Sequence, residues 1–512
     1  MSFITATPRE QFMLPLSIEE YVCFDHFVRF LDAFVEKVIK SRPDILPSKG
    51  GSSEGRPSYP PGCLIKLLIY GYLNRIASSR RLENETKRNM EVIWLMSNLQ
   101  PDHKTISDFR KDNKSLIKHI TIEFRRFLKD SGYIKGESIS IDGTKIKANA
   151  SRSFLSMGLI DKKVSQIEKE LERYFSLLSD NDAAEAEQEH LQAVTQELQS
   201  KIARLEEKLQ HLESQKSLLE TLDRDTLAPT DPQAQITKTK DGFLPGYNVQ
   251  STVDNRSHLI LTCQVADYPN DYHLLEENLN TLKEQLDLVP HTCVADGGYA
   301  NEQQVQRIEK RGIECVIPFQ DDAQSESKKR QRDLGIYFSY DQQADRFICS
   351  QGKALVLVQR NILRKQHYYN KYQSKDCSDC PKKQHCTKSK TGRIIYRRID
   401  DAWLQAHQQK QKTKAFKEKY KQRKNVVEHP FGTMKLYMGF IPLLLRGKQK
   451  VQVEIDLYAT AYNLTRLKNM ATVPVLLEKL TQWRPIAEIQ NLCRSLCLFF
   501  EKNRTIRYSQ IN

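Results

Sequence analysis

The residues best suited to chemistry in this chain are acids that follow short apolar runs. In 138-SISIDGTKIKANAS-151, Ile139 and Ile141 alternate with Ser138 and Ser140, the period of a strand. The predicted strand ends at Asp142, with Gly143, Lys145 and Lys147 directly after it. Asp-Gly is also a turn signal, and on that reading Asp142 merely closes a hairpin. The pattern recurs in 292-TCVADGGYANEQ-303, where Val294 leads to Asp296 and then to Gly297-Gly298. Ligands of open α/β sheets collect at strand ends, so two strand-end acids can meet if their strands are neighbours. A third acid, Glu428, lies in 417-KEKYKQRKNVVEHPFGTMKLYMGF-440 with Tyr420, Arg423 and Lys435. It stands between Val427 and Phe431, an apolar setting, and Pro430 predicts a helix start or kink beside it. Three carboxylates suit two hard divalent cations that activate the oxygens of an in-line phosphoryl displacement. The lysines and arginines around them would then hold a phosphate backbone.

A second set of candidate ligands is sulfur. Cys377, Cys380 and Cys386 fall in 377-CSDCPKKQHCTKS-389, and Cys349 lies upstream in RFICSQGK. The CxxC pair is a knuckle for tetrahedral Zn²⁺, with Cys349 or His385 as the fourth ligand. The competing reading is thiols in a loop. The chain has 11 cysteines, an odd number and mostly scattered, which argues against a disulfide framework. Cys263 and Cys293 read as small core residues.

The elements that must position these groups are legible in outline. Residues 17–40 predict an amphipathic helix, with Ser17 and Glu20 at capping-box spacing and Phe27, Leu31, Phe34, Val35 and Val38 on one face. A Pro/Gly/Ser-rich linker follows at 41–58, then helical patterns in CLIKLLIYGYLNRI and SSRRLENETKRNMEVIWLM. In 101-PDHKTISDFRKDNKSLIKHI-120, Thr105 is the expected cap of a helix exposing Lys104, Arg110, Lys111 and Lys114. Short basic helices joined by tight turns suit a major groove, although a small bundle with a solvated basic face has the same pattern. Leu191, Leu198, Leu205, Leu212 and Leu219 stand seven apart, a coiled-coil seam. With Val164, Ile167, Leu171, Tyr174 and Leu178 before the polar break at 179–187, it forms a helical hairpin or a seam shared by two protomers. From residue 243 the rhythm becomes hairpin, helix, strand, helix, strand, which is mixed α/β.

The 512 residues are too many for one core. A formal charge of +15 favours a polyanionic partner. The N-terminal residues lack a secretory pattern, and the longest apolar run, around Phe440 to Leu445, is far short of a membrane span. A cytoplasmic, nucleoid-associated protein is expected.

IDGTKIKANAS, VADGGYANE and the Tyr-x-x-Arg…Glu…Lys segment together resemble the three signature blocks of bacterial insertion-sequence transposases of the DDE class. YPPGCLIKLLIYGYLNRIASSRRLE and PDHKTISDFRKDN resemble the DNA-binding region of that family, and FIPLLLRGKQKVQVEIDLYATAYNLTRL its helical tail. The resemblance implies a ribonuclease H-like mixed-sheet catalytic core in an α/β protein. It implies Asp142, Asp296 and Glu428 as ligands of two Mg²⁺ ions, for which Mn²⁺ can substitute, and Tyr420, Arg423 and Lys435 as phosphate contacts. One spacing departs from the family: four residues separate Arg423 from Glu428 where three are usual, and Lys424 would restore the interval. Glu418 is the nearest rival acid.

The organisation expected is an N-terminal all-α DNA-binding region (1–135), the first part of the core (136–160), the coiled-coil insertion (161–222), the second part of the core (223–320), a Cys-rich insertion (321–400), the last part of the core (401–470) and a helical tail (471–512). The predicted function is a DNA transposase that binds terminal inverted repeats, cleaves element ends and joins their 3′-hydroxyls to target DNA as a homodimer. Lys104, Arg110, Lys145 and Lys147 are further DNA contacts on this reading. A nuclease of the same fold without strand transfer, and a non-catalytic DNA-binding repressor, are the alternatives.

Overall fold

Apolar periodicity decides where the helices begin. The computed structural model describes residues 17–46, 58–184, 189–222, 224–239, 242–319, 333–364, 367–399, 402–438 and 443–488. They divide into two units, Met1–Pro290 with Val426–Asn512, and His291–Asn425. Helix α1 spans Phe27–Ser41 and not 17–40: its apolar face starts only at Phe27, and His26 caps it by accepting from the Val28 amide. Ser17 caps a separate 3₁₀ turn, Ile18–Tyr21. Most of the 41–58 linker lies outside the described residues.

Helices α2 (Pro61–Leu73), α3 (Ser79–Arg88), α4 (Met90–Leu95), α5 (His103–Asp112) and α6 (Lys114–Asp130) complete the N-terminal bundle. Asp102, not Thr105, caps α5, its carboxylate accepting from the Thr105 amide at 2.7 Å. A carboxylate is the better partner for the positive end of a helix. Phe30, Phe34, Phe124, Phe127 and Trp483 pack together in the core of this bundle, mostly edge to face or tilted, with Phe34 and Trp483 stacked. Such aromatic pairs add about 0.5–1.5 kcal/mol each beyond the area they bury.

Strand β1 (Ser138–Lys147) follows, longer than its apolar start predicts. Beyond β2 (Leu155–Ser156), helices α7 (Met157–Ala184) and α8 (Glu189–Thr221) form a hairpin, and β3 (Thr226–Leu227) pairs with β2 at its base. Leu171 packs with Ile202 and Leu205, and Ile160 with Leu212 and Leu219, so this part of the leucine seam is filled within the chain. Helix α7 continues through residues 179–184 of the break expected at 179–187, and residues 185–188 and the Leu191 side chain lie outside the described residues. Strands β4 (Gln235–Thr239), β5 (Gly242–Asp254) and β6 (Ile260–Val265) are antiparallel neighbours, and β1 joins β5. The Asp254 carboxylate closes the β5–β6 turn by accepting from the Ser257 amide and hydroxyl. Helix α9 (Leu275–Leu286) ends the first stretch of this unit.

The second unit begins with the parallel pair β7 (Thr292–Val294) and β8 (Glu314–Val316), joined through α10 (Glu302–Lys310). It continues as an antiparallel sheet of β9 (Phe338–Asp341), β10 (Arg346–Cys349), β11 (Ala354–Arg364), β12 (His367–Gln373) and β13 (Ile394–Arg398), in the order β13-β12-β11-β10-β9. A single turn, α11 (Lys383–Cys386), lies between β12 and β13. Helix α12 (Ala402–Lys412) precedes α13 (Lys414–Tyr437), which contains Pro430 and continues past it.

Back in the first unit, α14 (Lys448–Met470) is buried along most of its length and α15 (Val473–Gln482) packs beside α1. The fold is mixed α/β, with antiparallel and parallel strand pairs. Among the described residues, no helix is long and apolar enough to cross a membrane.

Candidate active site

Asp142 lies inside β1 and not at its tip, because the antiparallel register with β5 runs on from Ile139–Asp254 through Asp142–Ser251 to Lys147–Gly246. The turn reading of Asp-Gly therefore fails. Alternation along the strand puts Asp142 and Thr144 on one face and Gly143, Lys145 and Lys147 on the other. The cation beside Asp142 comes from elsewhere. Lys435 of α13 donates to the Thr144 hydroxyl, and its half-buried ammonium is held below the ordinary lysine range by desolvation, with the Asp142 charge opposing.

Lys145 on the opposite face pairs with Asp271 at 3.3 Å. Asp271 also accepts from Asn248 at 2.9 Å and Gln250 at 2.8 Å. Gly143 makes room for this cluster: a Cβ there would sit 2.4 Å from the Gln250 amide and 2.7 Å from Asp271. Lys147 is exposed. These polar partners escaped the sequence reading. The one signal for them was Asn248 and Gln250 at alternate positions of a strand otherwise rich in apolar residues.

Glu428 also belongs to the first unit. It is exposed on α13, whereas Val426, Val427 and Phe431 are buried, so the apolar setting expected for it belongs to its neighbours. Sequence adjacency on a helix does not imply a shared face. Lys435, seven residues on, does share the face of Glu428. The rival Glu418 is exposed and pairs with Lys414 at 3.8 Å.

In the second unit, Asp296 follows β7 by two residues and caps a short turn, its Oδ1 accepting from the Gly298 amide at 2.8 Å. Its Oδ2 lies 3.9 Å from the Arg423 guanidinium. An apolar cluster aims that arginine: Val294, Val316 and Phe416 pack together, Tyr420 stacks on Phe416, and Arg423 stands over the Tyr420 ring at 5.7 Å. Lys424 is exposed. Arg423 is thus the basic residue engaged with an acid, despite the irregular spacing.

The four cysteines are brought together, also in the second unit. Cys349, Cys377, Cys380 and Cys386 line one small cavity, whereas His385 is exposed and does not. Burial raises the Cys386 thiol; Arg393 opposes the rise and the other three sulfurs reinforce it. Among the described residues no three His, Cys, Asp or Glu side chains are already closed around a common point that could hold a metal ion.

At the N-terminus, Lys104 is exposed as expected but Arg110 is not. Arg110 is 2% exposed and donates to the Tyr72 hydroxyl at 3.1 Å, the Ala77 carbonyl at 2.7 Å and the Ser79 hydroxyl at 2.6 Å. It sits one turn from the buried Ile106, on the core side of α5. Its role is to tie helices together.

Residues 348–468 match the family model described as Transposase DDE domain, and residues 16–112 match Transposase domain (DUF772). These matches support a DDE transposase. The DDE match contains Tyr420, Arg423, Glu428 and Lys435 together with the four cysteines; Asp142 and Asp296 precede it. The other transposase match covers most of the N-terminal bundle. Among solved structures, the chain is similar to a cryo-EM structure of the piggyBac transposase synaptic complex with hairpin DNA. The two are 7% identical over 92% of this chain and 82% of that one, at a TM-score of 0.31. No curated protein matches the chain.

Proposed function

We propose that the chain is an insertion-sequence transposase of the DDE class with a ribonuclease H-like core, in which Asp142, Asp296 and Glu428 form one acid set. The reading rests above all on one observation: α13 supplies a cation to each aspartate, Lys435 beside Asp142 and Arg423 beside Asp296.

The acids are the right donors for Mg²⁺, a hard ion that takes oxygen ligands. Ser251, directly across from Asp142, is 1% exposed, and its hydroxyl has no hydrogen-bond partner among the described residues. That leaves one unmet hydroxyl on the strand face that carries Asp142. When bound, the metal would lower the pKa of a water and offset charge on the phosphate oxygens. The protein's own contribution is positioning. Lys435 and Arg423 neutralise the acids before DNA arrives and turn to the phosphate backbone once it does, and Tyr420 keeps the guanidinium in plane. Water is the first nucleophile and the released 3′-hydroxyl the second, so no covalent link to the protein forms.

On this reading the N-terminal helices bind the terminal inverted repeats through exposed residues such as Lys104, with Lys147 as a further backbone contact. Arg110 drops out of the contact set, and Lys145 reaches DNA only by leaving Asp271. Two element ends must be processed together, which calls for a homodimer on paired ends. The test uses DNA carrying the inverted repeats that flank the gene, with Mg²⁺ and a target plasmid. Asp142→Asn and Asp296→Asn should each lower cleavage and joining on the order of 10³-fold, the effect of losing several kcal/mol of transition-state stabilisation, with end binding intact. Unchanged joining in either variant would remove the acid set. Cleavage without joined products would indicate a nuclease, and binding without cleavage a repressor.

A further inference from the structure

We infer that Cys349, Cys377, Cys380 and Cys386 form a structural tetrathiolate zinc site that clasps the antiparallel sheet of the second unit. The four residues come from three separate places: the end of β10, the loop after β12, and α11. Nothing in the sequence requires Cys349 to meet the other three, yet all four line the same cavity, of about 30 Å³. That volume admits about one water-sized occupant and is too small for an organic ligand. The space suits a single ion or water, and four thiols around it favour a soft or borderline metal ion.

The surroundings suit a dianionic centre. Lys353, Lys382 and Arg393 line the cavity with the sulfurs, and cations lower the cost of ionising thiols. Each is anchored through hydrogen bonds to main-chain carbonyls. Arg393 donates to the Cys386 carbonyl at 2.6 Å, Lys382 to those of Leu334 and Gly335 at 3.2 Å, and Lys353 to that of Asp376.

The backbone is bent as a sulfur knuckle needs. Gly352, at φ +74°, donates its amide to the Cys349 carbonyl at 2.8 Å, and the Cys380 amide turns back to the Cys377 carbonyl at 3.5 Å. Gly392, at φ +99°, passes so close that a Cβ would lie 2.1 Å from the Ser374 carbonyl oxygen and 3.4 Å from the Cys377 sulfur. Only glycine allows the strand entering β13 to press against the Cys377 loop. Thiolates at about 2.3 Å are the ordinary ligands of tetrahedral zinc, and binding would draw the four sulfurs to that distance. Zinc would enter as the divalent ion with loss of four thiol protons and no change of oxidation state.

The full chain, purified under reducing conditions without added chelator, is assayed for metal and for thiols that react with a chromogenic disulfide. One zinc per chain is expected, with four more thiols reactive after chelation than before. Replacement by Co²⁺ should produce the visible absorption of tetrahedral cobalt thiolate. Cys349→Ser should weaken Co²⁺ binding by more than about 100-fold, beyond what loss of an outer-shell partner costs. His385→Ala and the remote, exposed Cys23→Ser should leave it unchanged. If Cys349→Ser fails to fold, the thiol count and the cobalt spectrum of the unmodified chain still decide. Absence of zinc together with absence of a cobalt–thiolate band overturns the proposal, as does full affinity in folded Cys349→Ser.

Discussion

At the residue scale, Asp142 and Gly143 show how little a dipeptide says outside its strand. Both would be turn residues on local preference, yet both are paired in an antiparallel ladder with β5. Gly143 is required by what lies beside it, the Gln250 amide and the Asp271 carboxylate, and not by its own backbone angles. Gly143→Ala should therefore destabilise the protein by about 1–3 kcal/mol, the range for overpacking a filled site. Chemical denaturation measures this directly, and a neutral outcome would mean that the Asn248–Gln250–Asp271 cluster yields easily. Arg110 makes the complementary point. It is a basic residue on a basic helix, but its three donated hydrogen bonds point inward, and Glu454 lies beyond the Tyr72 hydroxyl at 3.4 Å. A guanidinium so engaged is unavailable to phosphate.

At the element scale, α6 carries a group whose environment sets a pH limit on the fold. His119 is half-buried, its buried Nε2 has no hydrogen-bond partner among the described residues, and its pKa falls from 6.5 to about 4. Desolvation is the main cause, followed by the nearby Arg42 and Arg126 charges, with Asp44 opposing. The folded state resists protonation, so as the pH falls below 6.5 the unfolded chain gains a proton that the native chain does not. Stability from this group is complete above 6.5 and is lost progressively down to about 4. His119→Gln should flatten the fall of the thermal midpoint across that window. An equally steep fall in the variant would place the acid sensitivity elsewhere.

At the scale of the whole molecule, the helical hairpin stands out as an element that completes its own packing. Its seam leucines meet α7, and its base is closed by the short β2–β3 pair. Replacing residues 164–215 by a short Gly/Ser link should remove helical circular dichroism yet leave cooperative unfolding of the remainder. Loss of folding would show that the hairpin supports the sheet. On the proposed function the +15 charge acts over this same scale, since counterion release would make DNA affinity fall steeply with salt whatever sequence is bound.

The sequence by itself determined the elements whose side-chain period is strong: α1 from Phe27 onward, the leucine seam, the β5–β6 hairpin, the start of the strand that contains Asp142, and the strand before Asp296. It also placed Asp296 beyond a strand end, because a strand followed by two glycines has few other shapes. Local pattern could not say which side of an element a polar residue faces. Glu428 is exposed beside two buried valines, Lys145 and Lys147 turn away from Asp142, and Arg110 turns inward. Nor could spacing choose between Arg423 and Lys424, or between Cys349 and His385 beside the other three sulfurs. Each of those choices depends on a neighbour elsewhere in the chain: Asp296 for Arg423, the Cys377 loop for Cys349. Period reports the face that is buried, whereas a partner's identity exists only once the chain has folded to bring it there.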